Sequence, residues 1–263
     1  MSDYGIREGM TSHFEIHTAT KAQLRTELLS SGLGEKFAND TEKFLDPARK
    51  ESWELSRFLI ASRVFGLLKT DCSQDFMSLE LSEIEVLTRN HQGRGIPPAV
   101  FIENQQIPWT FSLSHAGDNY ALAICRQPQF RPGVDLVNTS TFTLAALQMW
   151  FTPEEREYLA NHDERAAGTL WALKEAVYKS VNHGEPFRPR QIEILPEGRK
   201  LICRVRGIQV HFDEAVIRFI EKDCLLAAIL TKQNSFSNSD EDYFDNKTSS
   251  HSLNDASHEL IMH

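Results

Sequence analysis

Residues 171–179 read WALKEAVYK. Trp171, Leu173, Ala176 and Val177 are apolar, and Lys174, Glu175 and Lys179 stand among them. Trp171, Glu175 and Lys179 are spaced four apart, so they share one face of a helix. Glu175 and Lys179 are in the favourable order for an i,i+4 ion pair, worth about 0.2–0.5 kcal/mol on an exposed surface. A large apolar side chain in line with both charges argues for a face that is partly covered. Two readings stay open at this point: a charged surface ladder, or a carboxylate and an ammonium at the edge of a cleft.

Outward from this stretch, 163–182 reads as one helix with Gly184 as its C-terminal cap. Just before it, Thr152-Pro153-Glu154-Glu155 is a capping box that opens another helix. Asp46-Pro47 is an N-cap with proline at the first helical position, and apolar spacing carries that helix to about Lys69. Between the helices lie strand signals. WTFSLSH (109–115) alternates with period two and puts Trp109, Phe111 and Leu113 on one face. A turn at Ala116-Gly117-Asp118-Asn119 and the run YALAIC complete a hairpin. GVDLV (133–137), LICRVRGIQVHF and CLLAAILT read as further strands. Helices alternate with antiparallel pairs, an α+β pattern in two similar halves.

The 263 residues, 41% hydrophobic and 25% charged, suffice for two small lobes with real cores. A net charge of −9 argues against broad attraction to nucleic acid. MSDYGIREGM has no apolar run of signal-peptide length, and no apolar run approaches membrane-spanning length. Cys72, Cys125, Cys203 and Cys224 are scattered without C-x-x-C spacing, as expected of buried thiols in a reducing compartment. A cytoplasmic protein with no membrane association is the expectation. From Gln233 onward six acids face a single Lys247 in a Ser- and Asn-rich stretch, which reads as a disordered tail.

Three positions offer chemistry. Asp135 lies inside an apolar strand, where an unpaired carboxylate is costly. It either caps a turn at the strand end or ligates a hard cation such as Mg²⁺. Glu175 and Lys179 carry the alternatives already given. His115 closes a strand before a tight turn, either as a surface residue or as a phosphate contact.

Taken in order, S-L-S-H-A, then G-V-D, then W-A-L-K-E-A-V-Y-K, the chain resembles the 4′-phosphopantetheinyl transferase superfamily over roughly residues 50–185. It is similar to the larger two-lobed type that activates siderophore and surfactin synthetases. IASR (60–63) and GRGIPPAVF (93–101) resemble further family segments, the latter with an insertion between Arg94 and Pro97. The resemblance implies an N-terminal lobe over 1–128, a C-terminal lobe over 129–232 and a tail over 233–263. Each lobe would be a small antiparallel sheet packed with helices, with the active site between them. It implies a monomer that transfers the 4′-phosphopantetheine arm of coenzyme A to a serine of an apo carrier protein. Asp135 and Glu175 would bind Mg²⁺ with the coenzyme A pyrophosphate, and Lys179 would balance phosphate charge. Arg63, Arg94 and His115 would contact the nucleotide end, with Lys174 a further motif residue at the cofactor. Many relatives carry a second acid two residues after the aspartate; here that place is Val137, and the family's serine after the histidine is Ala116. The alternative reading is a non-catalytic carrier-protein or nucleotide-binding module that keeps the same fold.

Overall fold

The computed structural model describes residues 14–38, 46–71, 76–89, 95–139, 142–181, 185–197 and 200–233. The expectations for Arg94, for Gly184 and for the tail beyond Gln233 lie outside these residues.

The chain runs twice through one order of elements. The first pass is β1 (Phe14–Thr20), α1 (Lys21–Ser31), α2 (Gly34–Ala38), α3 (Pro47–Thr70), β2 (Ile84–Arg89), β3 (Gly95–Ile102), β4 (Gln105–Gln106), β5 (Thr110–Ala116) and β6 (Asn119–Cys125). The second is β7 (Phe130–Asn138), α4 (Leu144–Trp150), α5 (Pro153–Ala160), α6 (Glu164–Val181), β8 (Ile192–Glu197), β9 (Lys200–Val205), β10 (Ile208–Val210), β11 (Glu214–Phe219) and β12 (Cys224–Lys232). The principal sheets have matching orders, β1-β6-β5 and β7-β12-β11, and each pass adds a smaller sheet, β2-β3-β4 and β8-β9-β10. The fold is α+β with two similar lobes.

Local chemistry accounts for the element ends. Asp46 accepts the Ala48 N–H at 2.9 Å and starts α3, with Pro47 at its first position. Thr152 and Glu155 form the reciprocal capping box of α5. Gly117, at φ 57°, supplies the left-handed first position of the two-residue β5–β6 turn. Pro97 and Pro98 sit inside β3, where the register with β2 shifts between Leu87 and Arg89. A strand tolerates proline at such an irregularity because a ladder hydrogen bond is already missing there.

Each lobe buries its long helix against one face of its sheet. In the first, Leu55, Phe58, Leu59 and Val64 of α3 pack with Tyr120, Leu122 and Ile124 of β6. Phe111 joins this core, with Trp109 and Leu113 packed against it, as the period-two reading of 109–115 requires. In the second, Leu170, Leu173 and Val177 of α6 pack with Leu225, Ala227 and Ile229 of β12. The remaining faces of the two sheets meet each other. Ala121, Ala123 and Cys125 lie against Val134, Leu136, Leu226 and Ala228 in a third cluster. Small side chains allow that close approach. Burial on both faces explains why β6 and β12 are continuously apolar rather than alternating.

Candidate active site

The site begins where α6 lies on β7. A Cβ at Gly133 would stand 1.8 Å from the Ala176 carbonyl oxygen. Only glycine lets the helix backbone come so near, and that approach brings the polar face of α6 over the next residues of the strand. Replacement of Gly133 by Ala must separate helix and strand, because the obstructing atom is backbone. We expect Gly133→Ala to cost about 1–3 kcal/mol or more in chemical denaturation. A variant with wild-type stability would show that α6 lies farther from β7.

Ala172, Leu173, Ala176 and Val177 face the core, which turns Trp171, Glu175 and Lys179 toward the seam between the lobes. There they line a cavity of about 280 Å³ with Ser114, His115 and Asp135. Lys179 Nζ lies 2.7 Å from Asp135 Oδ1 and 3.8 Å from Glu175 Oε2. It also donates to the Val134 carbonyl at 3.0 Å. Both carboxylates thus converge on one ammonium, and these two oxygens can be no farther apart than the sum of the two distances. Asp135 is 3% exposed and accepts from Ser114 Oγ at 2.7 Å, so its buried charge has two donors.

The electrostatics follow from crowding. Burial, and then the charge of Asp135, raise the Glu175 pKa above the usual carboxylate value, while Lys179 and the Trp171 side chain pull it down. Burial, and then Lys179, lower that of His115; Asp135 opposes this shift and Lys21 adds to it. The shift favours the neutral imidazole, which can both donate and accept. Its ring rests near Tyr120, with centroids 5.6 Å apart. Trp171 forms the apolar wall and is itself braced by Trp150 at 4.5 Å and Phe187 at 5.4 Å.

Not every residue singled out in the sequence reaches the cavity. Lys174 is fully buried on the far side of α6 from it. Its Nζ lies 2.6 Å from Glu155 Oε2 and donates to the carbonyls of Pro189 at 2.9 Å and Trp150 at 3.2 Å. All three acceptors belong to the body of the second lobe, so this geometry gives Lys174 a structural role and no ligand contact. Val137 is also core, 9% exposed, and adds no oxygen to the site. Arg63 is not among the cavity residues; it pairs with Glu27 at 3.3 Å on the helical side of the first lobe. Ser112, Ser114 and Lys21 escaped the sequence reading. Serines in an alternating strand look like its solvent side, and only the second lobe shows otherwise.

Beside Arg63, His17 has a buried Nε2 with no hydrogen-bond partner. Burial lowers its pKa most, Glu15 opposes, and Arg63 adds to the lowering. A base depressed in the folded state contributes stability that is complete above its unfolded pKa of about 6.5 and lost as pH falls through it. Melting temperature should therefore fall between about pH 7 and 5.5, and by less in His17→Gln. Equal losses in both proteins would place the pH dependence elsewhere.

Among the described residues no group of three His, Cys, Asp or Glu side chains is gathered as in a protein-only metal centre. That does not disfavour Mg²⁺, which binds through one or two carboxylates and completes its shell with water and substrate phosphates. Asp135 and Glu175, converging beside a cationic side chain, fit that requirement. No helix among the described residues is long and apolar enough to cross a membrane.

One family model matches within the second lobe. The family model described as 4′-phosphopantetheinyl transferase superfamily matches residues 131–224. Among solved structures, the holo-[acyl-carrier-protein] synthase of Thermotoga maritima is 20% identical with a TM-score of 0.31. The match covers 39% of this chain and 62% of that one. No curated protein matches the chain. The stretch matched by the family model includes Asp135, Glu175 and Lys179.

Proposed function

We propose that the chain transfers the 4′-phosphopantetheine arm of coenzyme A to a serine hydroxyl of an apo carrier protein and releases adenosine 3′,5′-bisphosphate. The observation that carries this reading is the convergence of Asp135 and Glu175 on Lys179 in a cavity at the seam of the lobes, within the segment matched by the family model. The same reading makes it the two-lobed, synthetase-activating type, since one chain supplies both walls of the cavity. It is accordingly taken as a monomer acting in the cytoplasm, with neither nucleic acid nor membrane as a partner.

Asp135 and Glu175 would hold Mg²⁺ against the coenzyme A pyrophosphate. Bound there, the ion supplies neutralisation of charge on the phosphate oxygens as the bridging bond breaks. Lys179 adds a second positive charge on the same side and stands within reach of a phosphate oxygen. The acceptor serine oxygen attacks the β-phosphorus, the bond to the bridging oxygen breaks, and its electron pair leaves with the bisphosphate. Glu175, beside the reacting phosphate, accepts the serine proton. His115 serves the nucleotide end as a hydrogen-bond donor. Trp171 and its aromatic backing keep water from one side of the reacting centre.

The test is incubation of apo acyl carrier protein and apo peptidyl carrier domains with coenzyme A and Mg²⁺, followed by intact mass. The expected result is a gain of one phosphopantetheine arm, absent when the acceptor serine is replaced by alanine. Binding of coenzyme A with no gain in any acceptor would instead identify a non-catalytic module.

A further inference from the structure

β7 is the outer strand of its sheet, so alternate polar groups along its free edge have no ladder partner there. The first lobe supplies partners through side chains. The Val134 N–H donates to Ser112 Oγ at 3.0 Å, and the Leu136 N–H donates to Ser114 Oγ at 3.2 Å. Both serines are buried in β5, which runs alongside β7. With Thr110 Oγ1, which donates to the Phe130 carbonyl at 2.8 Å, three hydroxyls of β5 replace a backbone ladder across the seam.

The two serines are not equivalent. Ser114 also donates to Asp135 Oδ1 at 2.7 Å. A hydroxyl has one proton. With that proton on Asp135 and a lone pair on the Leu136 N–H, Ser114 is held at both ends. Asp135 Oδ1 then receives both Ser114 and Lys179, while Oδ2 has no hydrogen-bond partner among the described residues.

We infer that Ser114 is a positioning residue for Asp135: a side chain of the first lobe fixes the orientation of a carboxylate in the second and leaves Oδ2 free for a cation. Asp135 is thereby set only when the lobes are docked. The inference rests on the cation reading given above and does not depend on which phosphoester the cation serves.

Ser112 supplies the matched control, because it makes the same kind of contact across the seam without touching a carboxylate. The experiment compares Ser114→Ala and Ser112→Ala in the full-length chain. It uses Mn²⁺ as a stand-in for Mg²⁺, read from the EPR signal of the free ion. Melting curves accompany both variants. We expect Ser114→Ala to weaken Mn²⁺ binding by about tenfold or more, the usual loss when a hydrogen bond to a ligating carboxylate is removed. Ser112→Ala should keep wild-type affinity while lowering the melting temperature about as much as Ser114→Ala. Unchanged affinity in Ser114→Ala, or an equal loss in both variants, overturns the inference. A wild-type chain that binds no Mn²⁺ overturns the cation reading and this inference with it. The expected pattern in a chain that transfers nothing to any carrier would sustain the inference and sink the transfer reaction alone.

Discussion

Glu175→Gln should leave the fold intact and cut turnover by roughly 10²-fold or more, about 3 kcal/mol of barrier. The two readings of this helix face make opposite demands. An exposed i,i+4 pair with Lys179 would cost a few tenths of a kcal/mol on substitution and nothing in turnover. In the folded protein the two side chains are about a quarter exposed, 3.8 Å apart, and Lys179 lies nearer to Asp135. Burial and Asp135 already disfavour the ionised form of Glu175, so a neutral amide of the same shape relieves a repulsion and should not lower the melting temperature. Lys179→Ala should act differently. It leaves Asp135 and Glu175 facing each other without the cation between them, removes the donor to the Val134 carbonyl, and weakens the use of coenzyme A. Single-turnover rates at saturating Mg²⁺, with melting curves for both variants, separate the outcomes. Wild-type turnover in Glu175→Gln would return this face to an ordinary charged surface and remove Glu175 from the site.

The second large effect is on stability. Lys174→Met should destabilise the chain by about 3–5 kcal/mol, because it leaves Glu155 charged and buried without its cation. Both side chains are fully buried, and burial already holds the Lys174 pKa below its usual value while Glu155 opposes that shift. Glu155 keeps its hydrogen bonds from the Thr152 and Ile194 N–H groups, both at 2.8 Å, which favours the lower end of that range. Even so, melting temperature should drop by roughly 10 °C. The double variant Lys174→Met/Glu155→Gln should recover only part of the loss: no uncompensated charge remains, but the amide nitrogen cannot accept from one of the two N–H groups that the carboxylate serves. Urea denaturation of the two single variants and the double one measures the coupling. A Lys174→Met protein as stable as wild type would mean that the pair is hydrated. The pair also ties the end of α4, the start of α5 and the turn at Pro189–Gln191 to α6. Loss of activity in Lys174→Met would therefore follow from loosening of the aromatic wall behind Trp171, not from a lost ligand contact.

Much of the architecture was legible in local chemistry. The Asp46-Pro47 start, the Thr152 capping box, the Gly117 turn and the apolar spacing of α3 and α6 each specify their element within a few residues. β3 was hidden because its two prolines sit at a register shift, a feature that exists only once β2 is paired beside it. β1 and α1 were missed as well. β1 is an outer strand with mixed polarity, and its partner β6 comes about a hundred residues later.

The sequence by itself determined which residue types stand at helical and strand spacing: Trp171, Glu175 and Lys179 on one face, and Asp135 within an apolar strand. It put Lys179 and not Lys174 on that face, but could not say which face meets the core and which meets a cleft. Tertiary packing decided that. α6 turns Lys174 toward Glu155 in the core and Lys179 toward Asp135 at the seam, and the missing Cβ of Gly133 sets how closely the strand lies. The docking of β5 against β7 likewise gave Ser114 its carboxylate partner 21 residues away. Spacing is a property of one segment, whereas a partner across a seam depends on how two lobes meet, and no local pattern encodes that distance.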